Sequence, residues 1–339
     1  MASIIHAVSR YISTPIQHEG FSAWVCCTFL HWREDQPTDY WSHFDSASGL
    51  LGFPAAQALV RAGHHVYGLT PSQEKAKKLV AEESEFLNQQ QFDSSYQLFS
   101  NDYSHNLVIP IIGDIDKPAG WVDIIQDLDA VIEFVHGTGD DKRVSGEVFT
   151  AVSNAAQKLR PQGSIKLTYI YTSGTWVHGD NRNEVVTDTT PNDPITSPVP
   201  DLVKWRPIRE QIVINDKTLN GFVIRPGLMY GSAGPLLARF FQEASKGQVW
   251  YPGTPGSRLA LLHTDDLGDI YVKAVEKSAL CGGLIFDAVN DHTESVDDLL
   301  AALIKVSGAK GPYEYRAPTN CVFFFDWIPP WKPLISHYI

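Results

Sequence analysis

The run Ser46-Ala47-Ser48-Gly49-Leu50-Leu51-Gly52 leads straight into an amphipathic stretch, Phe53 to Gly63, and then into His64-His65-Val66-Tyr67-Gly68-Leu69-Thr70. A small-residue turn, a helix and an apolar strand in that order constrain the fold more than any other part of the chain. Backbone that approaches an anion at a helix N-terminus needs residues without a Cβ and unpaired N–H groups aimed at the charge. Gly49 and Gly52 meet that need, and Ser46 stands where a first glycine is expected. The segment reads as the phosphate-cradling half of a dinucleotide-binding unit, with Ser46, Gly49, Leu50, Leu51 and Gly52 as candidate contacts.

From Gly49 onward apolar β-type runs alternate with helical periods, the signature of βαβ crossovers and a parallel sheet. Strands are expected at His64–Thr70, Leu107–Ile112, Ala130–Val135, Ile165–Thr172 and Gly221–Arg225. Helices are expected at Pro54–Ala62, Ser72–Glu85, Pro118–Asp127, Val144–Leu159 and Leu202–Thr218. The fold class is therefore α/β, a doubly wound and mostly parallel sheet with a smaller C-terminal substrate lobe.

The difficulty is the first strand. Gln36 to Asp45, directly before the glycine turn, is too polar for the centre of a sheet. Ala23 to Leu30 has the right composition but would need about fifteen residues of loop before the glycines, where two to six are usual. Either this run supplies an improvised first strand or residues 1–45 never complete the site.

The chain has 339 residues, 43% of them hydrophobic, enough for a large α/β domain with a substantial core. Lysine and arginine number 27 against 39 acids, so 27 − 39 = −12. That balance argues against nucleic acid and against an anionic membrane, both of which demand clustered positive charge. Small molecules are the expected partners. Cys26, Cys27, Cys281 and Cys321 show no metal-ligand spacing, which favours a reducing, cytoplasmic setting and no metal site. The apolar run Phe21–Trp32 is too short for the roughly 20 residues of a membrane span.

The organisation expected is an atypical segment over 1–45, a nucleotide domain over 46–230, a substrate-side lobe over 231–320 and an apolar tail over 321–339. Within the lobe, helices are expected at Asp265–Lys277 and Ser295–Val306 and a strand at Leu284–Ala288. Glu82–Asn106, rich in Gln, Ser and Asn, reads as a solvated insertion.

Five pieces in order carry a resemblance: the glycine turn, Gly113-Asp114-Ile115, Thr172-Ser173-Gly174, Arg225-Pro226-Gly227-Leu228-Met229-Tyr230-Gly231 and His263-Thr264-Asp265-Asp266-Leu267. From about Ser46 to about Ala317 the chain resembles an atypical extended short-chain dehydrogenase/reductase, the NAD-dependent epimerase/dehydratase-like group of Rossmann proteins. The resemblance implies that Asp114 and Ile115 hold an adenine ring. Thr70 and Ser72, at the end of the second strand, lie where NAD is told from NADP. A carboxylate there binds the ribose hydroxyls, and this chain has none. With Ser72 and Lys75 nearby, NADP is the expected cofactor and NAD the alternative.

Such proteins catalyse with Ser and a Tyr-x-x-x-Lys pair, the lysine holding ribose and lowering the tyrosine's pKa. Here Trp205 falls at the tyrosine position and Arg209 at the lysine position. An indole N–H cannot give up its proton, whereas Arg209 keeps its charge and can still hold a ribose hydroxyl. Ser173 and Thr175 flank the serine position, occupied by Gly174, and either hydroxyl can meet a carbonyl oxygen or simply make a turn. Tyr230 is the foremost substitute acid, followed by His178 and His263.

His136 to Asp141 would line the cleft near the nicotinamide or form a turn, and Asp265-Asp266 reads as a helix cap. Two functional readings stay open. One is an NAD(P)-dependent oxidoreductase or epimerase/dehydratase-like enzyme moving hydride on a small carbonyl, hydroxyl or sugar-type substrate. The other is a cofactor-binding sensor or scaffold without turnover. A homodimer is implied by the resemblance alone.

Overall fold

The computed structural model describes residues 22–27, 51–77, 79, 108–136, 140–179, 185–191, 199–231 and 237–316. The first half runs β1 (Ser22–Cys27), α1 (Gly52–Arg61), β2 (His65–Thr70), β3 (Ile109–Ile112), β4 (Ala130–Phe134), α2 (Asp141–Leu159) and β5 (Thr168–Thr172). Next come α3 (Arg206–Asn215), β6 (Asn220–Pro226), β7 (Leu228–Tyr230), α4 (Ala238–Ser245), β8 (Trp250–Pro252), β9 (Arg258–Leu259) and β10 (Leu261–His263). The chain then gives α5 (Thr264–Glu276), α6 (Ser278–Cys281), β11 (Ile285–Ala288), β12 (Glu294–Ser295), α7 (Val296–Ser307) and β13 (Glu314–Arg316).

Seven strands form one sheet in the order β11-β6-β5-β4-β1-β2-β3, and every neighbouring pair is parallel. Strands covered on both faces are buried along their whole length, as β4 and β5 are. One face carries α1 and α5 over Ile132, Phe134, Ile170 and Phe222, and the other carries α2 and α3 over Val131, Tyr169, Tyr171 and Val223. Helices α1 and α5 cross very closely at Gly268, where a Cβ would stand 2.8 Å from both the Ala58 methyl and the Pro54 carbonyl.

The central slot is filled by β1, paired with β2 through Ala23↔Val66 and with β4 through Val25↔Ile132. Its distance from the glycine turn does not exclude it. Closure entropy rises only about 0.6 kcal/mol per doubling of loop length, little against a strand hydrogen-bonded along both edges.

Three expected elements are corrected. The helix over Pro118–Asp127 is two 3-10 segments, Pro118–Gly120 and Val122–Asp127, broken at Trp121, whose indole donates to the Asp114 carbonyl at 2.9 Å. The helix over Leu202–Thr218 begins only at Arg206, with Pro207 in its first turn. It stops where Asp216 turns to extended backbone and accepts from the Thr218 and Leu219 amides. The lobe over 231–320 gives up two elements: β11 joins the main sheet beside β6, and α5 covers that sheet with α1. What remains is a small core of Leu237, Phe240, Tyr251, Leu261, Leu300 and Leu303, with β13 paired to β8. Glu82–Asn106 and the tail after Arg316 lie outside the described residues.

Candidate active site at the carboxyl ends of the strands

In an open parallel sheet the ligand crevice lies beyond the carboxyl ends of the strands, where strand order reverses. Here the order reverses between β1 and β4. Beyond it, α1 opens at Leu51 with no side-chain cap and no acidic residue in its first turn, and Gly52 is buried. Such an end leaves N–H groups for an anion. Ser46, Gly49 and Leu50 lie outside the described residues, as do Gly137 to Gly139.

Among the described residues, the cation held at the ends of β4 and β5 is Arg206. Arg206 is 3% exposed, and its Nη2 donates to His136 Nδ1 at 2.9 Å beyond β4 while Nη1 donates to the Thr172 carbonyl at 3.4 Å ending β5. His136 also stands 3.5 Å from Asp141 at the start of α2. Arg209, one turn on, leans the other way: its guanidinium lies 5.8 Å from the Phe149 ring centre and against Gly146 of α2. The Trp205 indole donates to the Leu202 carbonyl at 2.9 Å, so it serves the turn before α3. Leu202 itself lies four residues before Arg206, where a tyrosine would be needed.

Ser173 and Thr175, both buried, continue from β5, and Thr175 opens a 3-10 turn that ends at His178. The Ser173 amide donates to the Ile224 carbonyl at 2.8 Å, and its hydroxyl has no hydrogen-bond partner among the described residues. The neighbouring Thr172 hydroxyl is committed to Tyr271 of α5 at 2.6 Å.

His178 closes a buried chain of charges. Its Nε2 donates to Asp287 Oδ2 at 2.8 Å, the shorter contact, which leaves Arg225 Nη1 at 3.3 Å as an electrostatic neighbour. Arg225 Nη1 lies 3.5 Å from Asp287 Oδ1, and its Nε and Nη2 donate to both oxygens of Glu210 at 2.9 and 2.6 Å. Burial, then repulsion from Asp287, raises the Asp188 carboxyl above its ordinary range at the rim. His178 is thus a structural pivot linking β5, β6 and β11.

Tyr230 and His263 face each other across the β7–β10 ladder, ring centres 5.0 Å apart. His263 Nδ1 accepts from the Asp265 amide at 3.2 Å, so the imidazole caps α5 and the two aspartates occupy the first turn. Tyr230 is half-buried at the edge of the small lobe.

The expected adenine contacts behave as a turn. Asp114 Oδ1 accepts from the Asp116 amide at 3.0 Å and Oδ2 pairs with Lys117 at 2.7 Å, while Ile115 is 2% exposed within the core under α2. Thr70 ends β2 buried, its hydroxyl without a partner among the described residues, and Ser72 Oγ accepts from the Lys75 amide at 3.3 Å.

Arg206, Glu210 and Asp287 escaped sequence reading. The signal for the first two was the spacing 206, 210 and 213, one face of a helix, and Arg206, Glu210 and Val213 of α3 are all buried.

No family model and no curated protein sequence matches the chain. Solved structures do. A nucleoside-diphosphate-sugar epimerase from Pseudomonas aeruginosa superposes with a TM-score of 0.58 at 15% identity, covering 79% of this chain and 78% of that one. A UDP-N-acetylglucosamine 4-epimerase from Bacillus cereus gives 0.53 at 14% identity, covering 79% and 86%. A protein assigned as an NAD-dependent epimerase/dehydratase from Methylobacillus flagellatus gives 0.53 at 17%, covering 79% and 82%. The fold is the Rossmann-type α/β fold of these epimerase/dehydratase-like structures.

Proposed function

We propose that the chain is an NAD(P)-linked oxidoreductase or epimerase/dehydratase-like enzyme acting on a small carbonyl, hydroxyl or sugar-type substrate, with NADP preferred. The observation that carries the reading is Arg206 fixed by His136 and Thr172 beyond the carboxyl ends of β4 and β5, in a sheet whose α1 N-terminus is uncapped. The residues present fit a dinucleotide: α1 and Gly52 suit the diphosphate, Thr70 and Ser72 the ribose next to adenine, and Arg206 the ribose next to nicotinamide. When bound, the cofactor would supply or accept hydride at the substrate carbon. Ser173 offers its unpaired hydroxyl to the substrate oxygen, and Tyr230 is the proton donor on the small-lobe side. The NADP preference rests on Thr70-Pro71-Ser72, which carries no carboxylate to repel a 2′-phosphate.

The nucleoside-diphosphate-sugar and UDP-sugar epimerases among the structural neighbours support a nucleotide-sugar type of substrate. A homodimer through α2 and α3 belongs to the same reading, supported by Ile208 and Ile212, 68% and 44% exposed on α3. The reading also includes a cytoplasmic setting, and no described helix is long and apolar enough to cross a membrane.

Fluorescence titration with NADPH and NADH tests the cofactor claim, with binding in the micromolar range expected and NADPH the tighter. Absence of binding at millimolar cofactor removes the reading. A sensor without turnover is favoured by one observation, the absence of a tyrosine four residues before Arg206. Steady cofactor consumption with a carbonyl or nucleotide-sugar substrate, lost in Tyr230→Phe or Ser173→Ala, would exclude it.

A further inference from the structure

Glu133 sits in the middle of β4 with no solvent exposure, in register with Cys26 of β1 and Tyr171 of β5. A carboxyl group inside a parallel sheet is costly unless its oxygens are matched. Oε2 accepts from the Tyr169 hydroxyl, and Oε1 has no partner among the described residues. Three more buried atoms within its electrostatic neighbourhood share that condition, Tyr171 OH from β5 and the Nε atoms of Arg206 and Arg209 from α3, and the Ser145 hydroxyl of α2 stands within reach of the carboxyl. Buried polar atoms in native proteins are almost always bonded to protein or to ordered water. Two guanidinium donors, two hydroxyls and a carboxylate acceptor form a mixed set. An anion would leave the carboxylate repelled and a metal cation would face two arginines, whereas water donates and accepts.

We propose that Glu133, Ser145, Tyr171, Arg206 and Arg209 enclose a buried site for ordered water, and that the Glu133 carboxyl is a proton store coupled to the cleft through Arg206. Arg206 belongs to both places. Its Nε is buried without a partner among the described residues and its charge acts on Glu133, while its Nη atoms hold His136 and the end of β5. When Glu133 loses its proton to bulk solvent, with the water as the relay, a full negative charge appears beside this shared guanidinium and draws it inward. The cation offered to the cleft weakens.

Among the described residues, the charged and titratable groups facing Glu133 are Tyr169 and Tyr171 from β5 and Arg206 and Arg209 from α3, with Glu210 beyond Tyr171, and from α2 the Ser145 hydroxyl acts on it. Burial drives the Tyr171 phenol far up, so it stays neutral. Burial lifts Glu133 to about 7, against the opposing pull of Ser145, Tyr169, Arg209 and Arg206. Of these facing groups, Glu133 is the one that changes charge near neutrality.

Infrared difference spectroscopy on the full chain across neutral pH tests the buried site. The expected result is a protonated-carboxyl C=O band that vanishes as pH rises through about 7, with an internal water O–H band that shifts in heavy-oxygen water. Both should be missing or altered in Glu133→Gln. A wild-type spectrum without a titrating carboxyl band, or a band surviving in Glu133→Gln, overturns the proposal. If Glu133→Gln fails to fold, Tyr169→Phe keeps the carboxyl but removes a donor to its anion, so its midpoint must rise. An unmoved midpoint overturns the proposal too.

The coupling rests on the cofactor reading above. NADH affinity should fall severalfold in the wild type over the same pH range and stay flat in Glu133→Gln. A flat wild type with a titrating band overturns the coupling. Failure to bind either NADH or NADPH at any pH overturns the cofactor reading and the coupling with it, while the infrared result decides the buried site by itself.

Discussion

Arg225 and Glu210 form a doubly hydrogen-bonded ion pair inside the protein, at 2.9 and 2.6 Å, with their side chains 3% and 1% exposed. The pair ties α3 to β6 and thereby fixes Arg206, one helical turn before Glu210, at the strand ends. Removing one partner leaves a buried charge alone, at a cost of about 3–5 kcal/mol. Glu210→Ala should lose that much in urea denaturation. The double variant Glu210→Leu with Arg225→Met should recover a large part of it, because no unpaired charge remains.

Arg206 and Arg209 differ in what they face, and binding should separate them. Arg206→Ala should weaken NADPH binding about tenfold or more, the worth of a charge-assisted hydrogen bond of about 1.5–3 kcal/mol. Arg206→Lys should restore part of it. Arg209→Ala should weaken binding less than Arg206→Ala, since the Arg209 guanidinium packs on Phe149 and Gly146. Equal losses in the two alanine variants would return Arg209 to the cleft. Fluorescence titration reads the difference directly.

That pair also shows where sequence reading stops. The order of the pieces after each strand, and the sheet they imply, could be read from periodicity and turn residues, and the structure has β2, β4, β5 and β6 where alternation puts them. Helix α3 misleads because its pattern is inverted: Ile208 and Ile212 point to solvent while Arg206 and Glu210 are buried. Hydrophobic period normally marks the inward face. Here hydrogen bonds to Thr172, His136 and Arg225 make charged residues the inward ones, and those partners are distant in sequence. The burial of Ile115 was illegible for a related reason. A turn motif places a residue in sequence, but Trp121 folding back onto the Asp114 carbonyl carries Ile115 under the sheet.

Gly231 adopts φ +97°, and a Cβ there would press on the His263 ring and on Thr264 Oγ1 at 2.8 Å. Left-handed backbone costs a non-glycine residue about 1–2 kcal/mol before any clash. Gly231→Ala should therefore destabilise by at least that amount. It should also shift the His263 imidazole NMR signals, because the displaced ring is the cap of α5. Unchanged His263 shifts would mean that the ring relaxes without moving.

Asp297 latches the small lobe: Oδ1 accepts from the Tyr315 and Tyr313 hydroxyls at 2.8 and 3.1 Å, and Oδ2 from the Gly256 amide at 3.1 Å. The Tyr315 hydrogen bond, chiefly, holds its carboxyl below the ordinary value. A group with a depressed folded pKa adds stability above its unfolded pKa and loses it as pH falls through the folded one. Acid should therefore loosen β13 from β8, seen as a change in tyrosine fluorescence. Asp297→Asn should lower the melting temperature at neutral pH and lose that difference in acid. A constant difference at all pH values would assign the effect to packing.

The central strand provides the strictest test of the fold, because β1 is bonded on both edges and the crevice opens where it meets β4. Amides in such a strand exchange only when the sheet opens as a whole, whereas a peripheral segment exchanges by local fraying. Residues 22–27 should thus exchange with deuterium as slowly as β4, and more slowly than the edge strand β3. Val25→Pro should abolish cooperative unfolding, since Val25 lies opposite Gly68 on one side and Ile132 on the other and proline cannot donate to either ladder. Fast exchange at 22–27 together with a folded Val25→Pro variant would place another segment beside β2 and β4, and the crevice would then be built from that segment's carboxyl end.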